Sequence, residues 1–142
     1  MRVYLDTSAV GGYFDEEFAA STRRMFDAFR RGILIPLLSE TLLDEIQEAP
    51  DQVRGLLDEL LDLGAERLEA VKASYDLHEA YVLSGVINRR YASDALHVAQ
   101  ATLAKADVIV SWNFKHLVQA NRIRGYNIVN QQWRLDPIVI MT

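Results

Sequence analysis

The chain has 142 residues, half of them hydrophobic, and a formal net charge of −5. That length suits one domain with a single core, and no apolar run approaches the ~20 residues of a membrane span. The absence of cysteine excludes disulfides, thiolate nucleophiles and thiolate metal sites, and Asp6 and Gly11–Gly12 interrupt any signal-peptide pattern, so a soluble, cytoplasmic domain is expected.

Taken in chain order, Arg2 to Leu5 is short and apolar, stops at Asp6, and predicts a buried strand. Glu16 to Arg31 spaces Phe18, Met25, Phe26 and Phe29 among charges, as an amphipathic helix closed by Gly32. Ile33 to Pro36 reads as a second buried strand. Ser39 can cap a helix running to about Glu48, with Ala49-Pro50 as its stop. Asp51 to Leu63 carries Val53, Leu56, Leu57, Leu60 and Leu61 at helical spacing and ends at Gly64. Lys72 to Leu83 and the alanine-rich Tyr91 to Lys105 are further helices, the second with Ser93 as cap. Val108 to Ser111 is a third buried strand, Asn113 to Asn121 a short helix, and Ile128-Val129 and Ile138 to Met141 are expected strands. Strands alternate with helices, and the strand cores are apolar throughout. The pattern predicts one α/β domain over residues 1–142, with a mainly parallel central sheet covered by helices in three layers. No repeat, linker or low-complexity tract interrupts it.

Charge is unevenly distributed. Ser39 to Glu79 holds twelve acids against Arg54, Arg67 and Lys72, whereas the rest of the chain has eight acids and twelve bases. Basic pairs at Arg23–Arg24, Arg30–Arg31 and Arg89–Arg90, with Lys115, Arg122 and Arg124, are ordinary solvated helix faces taken singly. Together they leave room for a phosphate-binding side on an acidic protein.

In open parallel sheets, functional groups collect beyond the carboxyl ends of the strands. Asp6 follows the first strand and Ser111-Trp112-Asn113 the third, so the two junctions are expected on one edge. Four acids crowd the helix after Ser39. At roughly 100° per residue, Leu42, Leu43, Ile46 and Ala49 form its apolar stripe; Glu40, Asp44 and Glu48 lie roughly 130–170° from the centre, and Glu45 about 90°. Glu45 alone borders the buried face, either as a flanking charge on an apolar stem or as a site residue. Asp94 opens the alanine-rich helix, where an acid complements the helix dipole or caps it. With Ser93 as cap, Asp94 is free to point elsewhere, and Ala95, Ala99 and Ala101 let the helix pack closely on the sheet. Asp6 can itself be a simple cap, with Thr7 and Ser8 sharing the work.

Sharper chemistries find less support. A phosphoacceptor aspartate wants a second acid two residues on, where Ser8 stands. His78, His97 and His116 have no H-x-x-x-H spacing, and His97, three residues after Asp94, is placed to pair with it on the helix surface. Walker, G-x-G-x-x-G and G-x-S-x-G motifs are absent, and Gly11–Gly12 is too little for nucleotide binding.

Four segments in order, the strand ending Asp6-Thr7-Ser8, LLSETLLDEI with Glu45, SDALHVA with Asp94 and VIVSWNFKHL with Ser111-x-Asn113, resemble the PIN-domain family. That family is the metal-dependent nuclease fold shared by VapC-type toxins of toxin–antitoxin systems. The resemblance spans about residues 2 to 130, and SWNFKHL with RIRGYN resembles one subgroup of it. One departure stands out: Asn113 occupies the place where the family commonly has an aspartate. Asp107 is close in sequence but precedes its strand and belongs at the opposite edge.

The resemblance implies a Mg²⁺- or Mn²⁺-dependent endoribonuclease, acting on single-stranded RNA or a structured RNA loop, with a small antitoxin protein as partner. Hard oxygen ligands without Cys or clustered His suit Mg²⁺ or Mn²⁺ over Zn²⁺. Asp6 and Asp94 are then the main metal ligands. Glu45 would ligate through water or accept a proton. Asn113 would ligate through its carbonyl oxygen or hold a water, while Ser8 and Ser111 support Asp6. Arg89, Arg90 and Lys115 are the expected RNA-contacting rim. The leucine pairs at Leu56–Leu57 and Leu60–Leu61 suggest a homodimer. A catalytically weakened PIN domain that binds RNA or protein is the rival reading because of Asn113; a flavodoxin-like small-ligand binder lacks a phosphate loop.

Overall fold

The computed structural model describes all 142 residues. Five strands, β1 (Arg2–Leu5), β2 (Ile35–Ser39), β3 (Glu66–Leu68), β4 (Val108–Val110) and β5 (Ile140–Met141), form one sheet in the order β3-β2-β1-β4-β5. Every pairing is parallel. Seven α-helices connect them: α1 (Thr7–Gly11), α2 (Ala19–Arg30), α3 (Glu40–Glu45), α4 (Asp51–Asp62), α5 (Lys72–Leu83), α6 (Ala92–Leu103) and α7 (Ala120–Gln132). None is long and apolar enough to cross a membrane.

Strand alternation divides the core in two. Val3, Leu5, Leu38 and Val108 face α1 to α4, packing with Ala9, Val10, Phe26, Leu42, Leu57 and Leu60. Tyr4, Leu37 and Ile109 face the other way, onto Leu77, Tyr81, Ala95, Val98, Ala99, Tyr126 and Val129. A strand buried on both faces has no polar side to show, which is why the sequence runs apolar without alternation. The result is the three-layer α/β/α arrangement expected from the sequence. Leu56, Leu57 and Leu60 are buried in this chain's own core, and Leu61 packs partly buried against it.

Several expected boundaries move. The second strand is Ile35–Ser39 rather than Ile33–Pro36, because Gly32, at φ 71°, ends α2 with backbone turns from Ile33 and Leu34 back to Ala28. The helix after Ser39 stays α-helical only to Glu45 and tightens to a 3₁₀ turn through Glu48. Glu66–Leu68, too polar to read as a strand, pairs only with β2 and forms an edge. Asn113 to Gln119 is a turn: Asn113 Oδ1 accepts the His116 N–H at 3.0 Å, and the Asn113 carbonyl accepts from Leu117 and Val118. The helix begins only at Ala120 and absorbs Ile128-Val129, an expected strand, since Tyr126, Val129 and Asn130 form one buried face at helical spacing. The last strand is confined to Ile140–Met141.

The strand order reverses between β1 and β4. In a doubly wound sheet the connections leave such a point in opposite directions, opening a crevice at the carboxyl ends. Asp6 and Ser111 stand at those two ends.

Candidate functional site

Asp6 is the N-cap of α1, its Oδ1 accepting from the Ala9 N–H at 2.9 Å and from Ser8 Oγ at 2.7 Å. A cap needs no more than that. Yet Oδ2 also accepts from Ser111 Oγ at 2.5 Å, across 105 residues of sequence. Ser8 Oγ accepts the Trp112 N–H at 2.9 Å, and Ser111 Oγ accepts the Asn113 N–H at 3.0 Å. Two serines therefore lock the ends of β1 and β4 around one buried carboxylate. The expected cap and the expected junction are both present, in the same residue.

Asp94 lies in the first turn of α6. The expected Ser93 cap is not made. A 3₁₀ turn, Arg89–Tyr91, leads into the helix and is capped by Asn88 Oδ1, which accepts the Arg90 N–H; Ser93 is exposed. Ala95, Ala99 and Ala101 are fully buried, and α6 rests closely enough on its neighbours to bring Asp94 to the crevice. Asn113 Nδ2 donates to Asp94 Oδ1 at a long 3.4 Å. Asn113 thus points its amide N–H at the carboxylate, while its carbonyl oxygen serves the His116 turn.

Glu45 reaches the same region from α3. His97 Nε2 lies 2.6 Å from Glu45 Oε1, and His97 Nδ1 lies 2.6 Å from Tyr4 Oη. Tyr4 donates to Ser39 Oγ at 2.7 Å, and Ser39 Oγ also caps α3 through the Leu42 N–H. His97 is therefore not on the helix surface and does not pair with Asp94, as sequence spacing suggests. It is buried, and it joins strand, cap and acid in one line. Its signal in the sequence is a histidine on the alanine-rich buried face of α6, where a polar ring must find partners.

Electrostatics tie the acids together. Burial pushes the Asp94 carboxyl up; the nearby His97 and His116 pull it back, and the charges of Asp6 and Glu45 add to the rise. For Glu45, burial acts upward, but the His97 hydrogen bond and charge, with a contribution from Thr7, prevail and hold it below the usual carboxylate range. His116 Nδ1 is buried without a hydrogen-bond partner. Asp6, Glu45, Asp94 and Asn113 thus lie at one end of the sheet: Asn113 touches Asp94, and Asp94 feels the charges of Asp6 and Glu45.

The basic rim is less uniform. Arg89 is held by Glu79 in a two-pronged ion pair at 2.6 and 3.1 Å. Arg90 lies 5.9 Å from the Tyr91 ring, which stacks on His116 at 3.8 Å. Lys115 is exposed.

The donor set fits a hydrated Mg²⁺ or Mn²⁺ better than a closed cage. No group of three His, Cys, Asp or Glu side chains is close enough to enclose an ion. Mg²⁺ keeps several waters and is held by one or two carboxylates plus substrate oxygens. Acids within reach of one another's charge, one of them raised chiefly by burial, and the buried, unpartnered His116 Nδ1 match that mode.

Neither a scan against protein-family models nor a search of curated proteins returns a match. Among solved structures, the chain is similar to one in the crystal structure of VapBC2 from Rickettsia felis bound to a DNA fragment from their promoter. The TM-score is 0.60 at 15% identity, covering 99% of this chain and 98% of that one. The fold is PIN-like. At that identity the likeness establishes architecture, not activity.

Proposed function

We propose that the chain is a Mg²⁺- or Mn²⁺-dependent endoribonuclease of the PIN type and the toxin half of a toxin–antitoxin pair. The observation that carries this is the set of acids at the switch point, where Asp94 feels both Asp6 and Glu45. Like charges oppose one another, by ~4 kcal/mol at 4 Å in an effective dielectric of 20 and by less further apart. A divalent cation turns that repulsion into attraction, and a fold has little reason to gather the acids otherwise.

Asp6 and Asp94 would hold the ion, with Glu45 reaching it through water. When bound, the metal would stabilise charge on a phosphodiester and acidify a water molecule. Ser8 and Ser111 keep Asp6 oriented, each with a hydroxyl hydrogen on the carboxylate. His97 keeps Glu45 ionised and pointed at the crevice. Asn113 steers Asp94 through its amide N–H, and its oxygen, which accepts one N–H, keeps a second lone pair for the ion or a water. Lys115 and Arg90 would meet phosphates, whereas Arg89 is occupied by Glu79. VapBC2 is the model for a small protein partner; co-purification with a small protein encoded beside this chain tests that point.

The experiment is single-turnover cleavage of single-stranded RNA with Mg²⁺, Mn²⁺ or EDTA, alongside melting curves in the same buffers. Metal-dependent cleavage with a raised melting temperature is expected. Asn113 supports a second reading, an RNA- or protein-binding module of weakened activity. Binding of RNA without cleavage under either metal would favour it.

A further inference from the structure

The four residues after β4 alternate in direction. Ser111 and Asn113 reach Asp6 and Asp94. Trp112 and Phe114 instead meet Phe18, at the start of α2, with ring centroids 5.2 Å apart at 4° and 5.7 Å apart at 36°. Trp112 is fixed on three sides. Its backbone N–H is held by Ser8, its Nε1 donates to Thr22 Oγ1 at 3.1 Å, and its indole lies against Gly12, where a Cβ would come within 2.4 Å of Nε1. Gly12 is required there because no larger residue leaves room for the ring. Phe114, by contrast, is 48% exposed. The exposed Lys115 follows it, and Arg24 lines a groove with Trp112.

An aromatic ring held half open on a rigid aromatic base, with a lysine next to it in the chain, is how proteins seat an unpaired base. We propose that Phe114, backed by Phe18 and Trp112, stacks the base of an unpaired RNA nucleotide adjoining the phosphodiester at the carboxylate centre. Lys115 and Arg24 meet its flanking phosphates. The proposal rests on the ribonuclease reading and names its substrate as single-stranded. Continuity decides for a nucleotide: one four-residue segment serves both the acids and the rings, so a chain with its phosphate at the first brings a base to the second. Duplex RNA, with its bases already stacked, cannot use the platform.

The test uses the full chain carrying Asp94→Asn, which prevents turnover, and Trp133→Phe, which leaves Trp112 as the only tryptophan. A short unstructured RNA and a duplex of equal length are titrated in EDTA, following Trp112 emission and anisotropy of labelled RNA. The single strand is expected to quench Trp112 and to bind more tightly than the duplex. Phe114→Ala should weaken binding about ten-fold or more, Phe114→Leu should match it, and Phe114→Tyr should restore it. Because Phe114 is half exposed, these variants should melt close to their parent. Unchanged binding in Phe114→Ala, equal binding of duplex, or no binding by the parent overturns the proposal. Full binding by Phe114→Leu also overturns it, marking an apolar face for a protein partner. Cleavage assays on the otherwise native chain keep the two readings apart. If that chain cleaves RNA and Phe114→Ala changes nothing, the platform falls and the ribonuclease stands. If it never cleaves but Asp94→Asn binds through Phe114, the ribonuclease falls and the platform stands.

Discussion

The two edges of the sheet handle charge in opposite ways. At the amino edge, Arg2 forks onto Glu66 at 2.9 and 3.0 Å and donates to the Ala104 and Lys105 carbonyls, while the Arg2 N–H donates to Asp107 at 2.7 Å. Arg2, Glu66 and Asp107 each have an opposite charge or a dipole there. At the carboxyl edge, Asp6, Glu45 and Asp94 gather with no lysine or arginine hydrogen-bonded to any of them, and only His97 in direct contact with Glu45. An edge that compensates itself contributes to folding. One that does not leaves a negative field that attracts cations and repels anions.

The comparison breaks most visibly through activity. Asp6→Asn keeps an oxygen for the Ala9 N–H and Ser8 Oγ, puts an N–H donor where Ser111 Oγ now donates, and removes the charge. Single-turnover RNA cleavage should fall about a thousand-fold, equal to about 4 kcal/mol of barrier, with the fold intact by circular dichroism. Wild-type rates from this variant would detach the site from catalysis.

His97→Ala comes next. It opens a cavity and removes one of the two partners of the Tyr4 hydroxyl, so denaturant unfolding should show a loss of about 3 kcal/mol. Cleavage should fall as well. His97→Gln, which can offer a donor to Glu45, should recover part of the activity; failure of any such rescue would reduce His97 to a core residue.

A smaller effect of opposite sign is expected for Asp94→Asn. The carboxyl is raised in the folded state, chiefly by burial. Its charge therefore destabilises the metal-free fold once pH exceeds the unfolded value, and the penalty is complete above the folded one. At neutral pH without metal, the variant should melt a few degrees above wild type, the gap closing as pH falls through the carboxylate range. Stabilisation by Mn²⁺ should disappear with it. A variant less stable without metal and still responsive to Mn²⁺ would contradict the crowding.

The smallest change belongs to the amino edge. Arg2 and Glu66 are 31% and 42% exposed, so Arg2→Met should cost less than about 1 kcal/mol and leave cleavage untouched. A large loss of activity there would erase the distinction between the edges.

Much of this was determined by the sequence alone. The apolar runs around Tyr4, Leu37 and Ile109 specify strands buried on both faces. Stops such as Gly32 and Gly64 bound the helices, because such features are local and follow from backbone sterics and periodicity. Asp6, Glu45, Asp94 and Asn113 can be nominated from their positions after strands and at helix ends. Tertiary structure decided the rest. Glu66–Leu68 is a strand only because β2 offers it an edge, and Ile128-Val129 is helical because Tyr126 has a core to enter. His97 meets Glu45 rather than Asp94 because α6 turns that ring inward, and Asn113 divides its amide between Asp94 and the His116 turn. Contacts spanning 52 residues from Glu45 to His97 and 105 from Asp6 to Ser111 exist only once the strands have paired, and no local pattern encodes which side chains then meet.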